Sequence, residues 1–383
     1  MRAIRAILIR LFSQVIGNCE TMRNQSNSQR SDLVLEKRIR SLGLTDTPYY
    51  VTLLGYFCEH AKAIELPSEK EYESASRMIS TLWKGSDKDP AVFEFADLLE
   101  PILRQMSKNR DHRIHSSKVF MLGYYIINAI TKINPHFDFK ANKPNLAWML
   151  SATFHDIGYA IQETEFWLNR MFEQFLGVNP KFAVSIGQIM PMIYLDFMRI
   201  LSAYHLNPSA VLSQNLLSSE IDWIFYNELN SKLIEKNHGV ISALMLAHLL
   251  GIRQGFLEER GNWDFKYNHL PACHAIAAHW LPSISIRFAT HPLAFLLVLC
   301  DEIQDWGRYT SSEECEENDI VYLRDVEVLN TNPISIKMCV KASRERQKEL
   351  RNKLLERLHP NEALSVSITN VSGNPIVKIK KQT

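Results

Sequence analysis

Trp148-Met149-Leu150-Ser151-Ala152-Thr153-Phe154-His155-Asp156-Ile157-Gly158 is the stretch on which the reading of this chain turns. An apolar helix beginning near Asn145 ends here in an adjacent His–Asp pair, with Gly158 close behind. A charged pair under a hydrophobic run is costly unless it is neutralised by a partner or a metal. Upstream, Arg113-Ile114-His115-Ser116-Ser117-Lys118-Val119 opens a helical pattern that runs to Ile133 and stops at Asn134-Pro135. Downstream, Phe295-Leu296-Leu297-Val298-Leu299-Cys300-Asp301 sets an acid directly after an aliphatic run. Any one of the 13 histidines, taken alone, reads as a hydrogen-bonded core residue. Their grouping with carboxylates suits a divalent ion such as Mn, Fe, Ni, Co or Zn, with Mg less suited among histidines.

Composition sets the frame. Hydrophobic residues make up 46% of the 383, enough for a sizeable core and too many for wholesale disorder. Only 14 Gly and 15 Pro punctuate the chain, which favours long helical elements. With 43 Lys+Arg against 42 Asp+Glu, the charge balance argues against a dedicated nucleic-acid binder, whose affinity rests on phosphate neutralisation. The 6 cysteines (19, 58, 273, 300, 315, 339) are scattered without a CxxC, so neither a disulfide framework nor a zinc knuckle is indicated. Reduced thiols and a cytoplasmic location are the expectation. No apolar run reaches the roughly 18 residues of a membrane span.

Four segments follow. In residues 1–31, Ile4, Ile7, Leu8, Leu11, Phe12 and Val15 fall at helical spacing among Arg2, Arg5 and Arg10, ahead of a polar linker. Residues 32–109 are helical with short breaks, and Asp32 is the expected N-cap of a helix over 33–42. Residues 110–310 hold the His and Asp pieces, with a helical insertion at about 160–235. Within them, Asn237–Leu250, Pro271–Trp280 and Pro292–Trp306 read as helices, the last two opened by proline at the first turn. Residues 320–383 change character. Ile334, Ile336, Met338 and Val340 alternate with polar residues, as do Leu364, Val366 and Ile368, then Val377 and Ile379 beyond a Ser372–Pro375 turn. That is strand patterning, with a charged helix over 342–358 between.

The order His115, then His155-Asp156, then Asp301, with H-S-x-x-V at the first and H-D-I-G at the pair, resembles the HD-domain metal-dependent phosphohydrolases. The resemblance covers about residues 110–310, and these residues match the family's metal-ligand positions. It implies a mainly α fold: an HD-domain helical bundle with N-terminal helices and a small C-terminal α+β extension. It implies one or two divalent ions. His238, opening His-Gly-Val-Ile-Ser-Ala, and His279, closing His-Ala-Ile-Ala-Ala-His, match in order the extra histidines of binuclear members. They are expected either as ligands of a second ion or substrate, or as supporting core residues. Trp280 and Tyr159 stand where the family's cyclic-dinucleotide phosphodiesterases carry a second His and a Lys. His274, about 140° round a helix from His279, is not expected on the same face.

Further residues are candidates. If the last helix continues, Asp305 and Arg308 share a face with Asp301 and reach the pocket mouth, Arg308 as a bidentate phosphate ligand. The alternative is a surface Asp305–Arg308 pair. Lys118 is a candidate phosphate contact or a solvated side chain. His112 is a lesser candidate on the face of His115. His136, His205, His248, His269, His291 and His359 read as structural.

The reaction expected is attack on phosphorus by ion-activated water, in a phosphomonoesterase or phosphodiesterase acting on a nucleotide or other small phosphate ester. The alternative is a non-catalytic HD module that binds metal or nucleotide and signals through the N-terminal helices or the tail. The intact ligand set argues against it. An HD nuclease would need a basic groove, which the charge balance disfavours.

Overall fold

The computed structural model describes residues 27–44, 47–61, 68–84, 90–104, 112–162, 164, 173, 193–213, 220–235, 237–250, 265–306, 320–359 and 362–380. The basic amphipathic segment expected before residue 22 lies outside them. The architecture is mainly helical with a small C-terminal sheet. Among the described residues, no helix is long and apolar enough to cross a membrane.

Helices α1 (Asn27–Ser41), α2 (Pro48–Ala61), α3 (Ser68–Lys84) and α4 (Pro90–Arg104) precede the long α5 (His112–Ile133) and α6 (Pro144–Phe154). The insertion contributes α7 (Ile193–Leu206), α8 (Pro208–Ser213) and α9 (Trp223–Ile234). Then come α10 (His238–Leu249), α11 (Leu270–Ala278), entered through a π-turn over Phe265–His269, and α12 (Pro292–Ile303). Helices α5, α6, α10, α11 and α12 are buried almost all round. That is why their apolar pattern is continuous rather than one-sided. Proline at the first turn opens α6, α11 and α12, where its missing N–H has no partner to lose. Asn237 caps α10 by accepting from the backbone of Gly239 and Val240.

Two expected boundaries move. Asp32 is not a cap: α1 begins five residues earlier, at Asn27, and Asp32 lies inside it, buried. Helix α12 stops at Ile303, not Trp306, because Gln304 turns extended with ψ 95°.

The C-terminal strands are β2 (Tyr322–Leu329), β3 (Ile334–Lys341), β5 (Leu364–Asn370) and β6 (Pro375–Ile379), in the order β2-β3-β5-β6. The outer pairs are antiparallel and β3–β5 is parallel, bridged by α13 (Arg344–Arg357). The alternating residues of β3 and β5 turn one face inward, as the pattern predicts. Strand β2 shows no clean alternation because a bulge between Leu323 and Asp325 shifts its register. The short β1 (Ile286–Arg287) pairs in parallel with β4 (Leu358–His359), joining the lobe to the helices. At the other side, Arg38 of α1 grips Asp325 of β2 with two bonds of 2.7 and 2.9 Å.

The α5–α6 crossing depends on Gly123. The fully buried Trp148 ring lies over it and donates its indole N–H to the Phe120 carbonyl at 2.9 Å. A Cβ at 123 would stand 2.0 Å from the ring. Gly123→Ala is therefore expected to destabilise the protein by about 1–3 kcal/mol, read as a lower denaturant midpoint at constant m-value.

Candidate metal centre

Five helix ends bring the expected ligands together. His115 sits in the first turn of α5, His155 and Asp156 in the turn after α6, and His238 at the first residue of α10. His279 directly follows α11, and Asp301 lies in the last turn of α12. Their approach needs glycine. A Cβ on Gly158 would stand 2.2 Å from the His238 carbonyl, and one on Gly239 would meet the His279 ring at 2.9 Å. The Gly158 N–H instead donates to Ser242 Oγ at 2.8 Å.

The imidazole nitrogens and carboxylate oxygens face one another at short range. His115 Nε2 is 3.1 Å from His155 Nε2, 3.0 Å from Asp301 Oδ1 and 3.6 Å from Asp156 Oδ2. His155 Nε2 is 3.5 Å from both carboxylates. Asp156 Oδ1 faces the other pair, 3.5 Å from His238 Nε2 and 4.0 Å from His279 Nε2. One carboxylate thus addresses two histidine pairs, one with each oxygen.

The ring tautomers are set from behind. His155 Nδ1–H donates to the Ala152 carbonyl at 3.1 Å, and His279 Nδ1–H to that of Ile276. His115 Nδ1–H donates to the side-chain oxygen of Gln304, whose amide N–H in turn donates to the Trp306 carbonyl at 2.8 Å. A carbonyl only accepts, so in its neutral form each ring has its Nε2 lone pair turned to the centre, as metal-bound histidines do. The Nε2 atoms of His238 and His279 are buried and make no hydrogen bond with the described residues. Three ligand groups draw within 4.8 Å: His115/His155/Asp156, His155/His279/Asp301, and Asp156/His238/His279. Buried donors of this type, with orphaned lone pairs, fit one or two divalent ions.

The electrostatics agree. Burial alone would push Asp156 and Asp301 upward, but the neighbouring imidazoles hold both carboxylates ionised, far below their usual range. Burial lowers His155, yet the two aspartates outweigh it and raise this ring. Burial dominates at His238, lowered to about 3, and at His279, lowered to about 4.

The other candidates lie elsewhere. Lys118 is fully buried, with its ammonium 2.7 Å from Glu71 and 3.3 Å from Asp32. It is neither solvated nor available to a phosphate. Asp305 does not extend α12. It accepts from the Val321 N–H and pairs with Arg346, each at 3.3 Å. Arg308 lies outside the described residues, so the surface pair with Asp305 is untouched. His112 is engaged by Glu100 at 2.9 Å.

Sequence reasoning passed over Gln304, and over Arg357 of α13, which donates to the Ala278 carbonyl beside His279 at 2.7 Å. It noted Tyr159 and Trp280 as departures without placing them. Tyr159 stacks on His238 at 3.7 Å, and Trp280 lies 4.8 Å from the same ring.

No protein-family model matches the chain, and no curated protein or solved structure matches it.

Two expectations follow. Lys118→Ala leaves two buried carboxylates without their cation and should cost about 3–5 kcal/mol of stability, measured by denaturant titration. The second concerns pH in chelator-treated protein. His238 and His279 stay neutral when folded, whereas the unfolded chain protonates them below about pH 6.5. Stability should therefore fall as pH drops from about 6.5 toward 4, by up to about 1.4 kcal/mol per pH unit for each ring. His155, raised, acts oppositely and only above about pH 6.5, where its contribution fades as pH rises. Denaturation midpoints at stepped pH check the profile, and equal stability at about pH 7 and 5 would contradict it.

Proposed function

We propose that this chain is a metal-dependent phosphohydrolase of the HD kind, acting on a nucleotide or another small phosphate ester. The observation that carries the reading is the Asp156 carboxylate, with Oδ2 toward His115 and His155 and Oδ1 toward His238 and His279. His115, His155, Asp156 and Asp301 would hold one ion, and Asp156, His238 and His279 a second. A divalent ion in such a set supplies Lewis acidity toward phosphoryl oxygens and makes water nucleophilic near neutral pH.

The chain's own groups do the rest. The Nδ1–H bonds of His115, His155 and His279 fix the rings, so no reorganisation is needed when charge develops on the phosphate. Asp156 and Asp301 stay ionised and favour a cation at the centre. Trp280, 36% exposed beside His238, offers an aromatic face on which a nucleobase can stack. That contact favours a nucleotide among the phosphate esters.

One observation favours the second reading, a non-catalytic metal- or nucleotide-binding module. Helix α13 of the C-terminal lobe touches the site's supports at three points: Arg346 to Asp305, Lys353 to Glu302 and Arg357 to the Ala278 carbonyl. Such contacts are a route by which occupancy would be felt in the lobe.

The full chain, screened with Mn, Co, Ni, Zn and Mg against nucleotides, phosphomonoesters and phosphodiesters, should release phosphate or nucleoside products. Asp156→Ala should lower turnover by at least about 100-fold and lose the metal of this centre, with its circular dichroism unchanged. Equal activity in the variant sinks the proposal, and nucleotide binding without turnover under every metal transfers support to the module.

A further inference from the structure

A second group of imidazoles meets away from the centre. His205 lies near the end of α7, His274 within α11, and His291 directly before α12. One nitrogen from each ring lies within 4.8 Å of the others. His205 Nδ1 and His274 Nε2 are 3.0 Å apart. Nitrogens on one tetrahedral zinc ion, bonded at 2.0–2.1 Å, stand about 3.3 Å apart. That pair is therefore near ligand spacing already, while the His205 and His291 rings, 4.7 Å apart and inclined by 6°, would have to turn to aim both lone pairs at one ion.

The decisive atom is His291 Nδ1. His291 Nε2 lies 2.9 Å from the His205 carbonyl, which can only accept, so Nε2 carries the proton. The lone pair of the neutral ring is then on Nδ1. That atom is buried and makes no hydrogen bond with the described residues, a costly arrangement if nothing binds it. The same device holds the rings of the metal centre, where His155 and His279 back onto carbonyls and turn the other nitrogen inward. Around the group, Phe225 stacks on His205 at 4.2 Å and lies 5.4 Å from His274. Burial keeps His205 down at about 4 and His291 at about 3, so both offer neutral ligands at pH 7.

We propose that His205, His274 and His291 form a second, separate metal site, an all-imidazole site for zinc. It does not rest on the phosphohydrolase reading. Along α12, His291 precedes Asp301 by ten residues, a rise of about 15 Å, and along α11 His274 precedes His279 by five, about 7.5 Å; the two groups share no residue. The all-nitrogen set differs in kind from the mixed imidazole–carboxylate centre and suits zinc rather than magnesium or manganese. A bound ion would clamp α7 of the insertion onto α11 and α12. Further along their length, those two helices present His279 and Asp301 to the centre.

The test counts ions on the full chain. Wild type, His205→Gln and His291→Gln are loaded with zinc, freed of excess and measured by elemental analysis, with circular dichroism as the check on folding. Each variant should hold one zinc ion fewer per chain than wild type and bind one equivalent less cobalt(II) with tetrahedral visible absorption. Equal metal content in all three proteins overturns the site and leaves a hydrogen-bonded imidazole stack. If both variants fail to fold, the double variant Asp156→Ala with Asp301→Ala, which removes a carboxylate from every ligand group of the first centre, decides. One tetrahedral cobalt(II) equivalent retained there, and displaced by zinc, supports the site, and none overturns it. No activity is read, so failure here is distinct from failure of the phosphohydrolase proposal.

Discussion

An ionised carboxylate buried at the junction of five helix ends is the constraint around which the helical part is arranged. Asp156 is 5% exposed, and water does little to stabilise its charge. An isolated carboxylate in that place would protonate or unfold its surroundings. Imidazoles from α5 and the turn after α6, the raised His155 first among them, keep it charged. Apolar helices alone pack in several registers at similar energy. The polar set is met in one of them, because Gly158 and Gly239 allow contact only where the His238 carbonyl and the His279 ring already stand.

Helix α5 extends the same logic toward the N-terminus. At intervals of three residues it carries His112, His115 and Lys118, and each finds a different partner. His112 meets Glu100 of α4, His115 joins the centre, and Lys118 meets Asp32 of α1 and Glu71 of α3. Asp32 also accepts from the Trp306 indole at 2.8 Å. The first helices are therefore tied by buried charge to the helix that opens the site. A broken member leaves its partner buried and charged, which is far more costly than losing an exposed pair.

The helices that carry the centre were legible because their apolar runs are long, with proline marking the first turns of α11 and α12. The order of His115, His155, Asp156 and Asp301 was legible because adjacent unlike polar groups under apolar runs are rare. Other features depend on partners far away in the chain. Asp32 looks like a cap until Lys118 and Trp306 are beside it. Lys118 looks solvated for the same reason. The bulge in β2 hides its alternation, and Gln304 gives no warning that it ends α12. His205, His274 and His291 each read as core residues, since nothing local announces that residues 69 and 86 positions apart meet. Arg308 and parts of the insertion, 174–192 among them, fall outside the described residues.

The pairing of α1 with β2 bears on how the chain is made. Arg38 and Asp325 are separated by 287 positions. At about 5–20 residues per second, a ribosome takes roughly 15–60 s to cover that interval. For that time α1 has no β2 to pack against. Helix α1 is thus completed only once β2 has been made, so this part of the fold closes late.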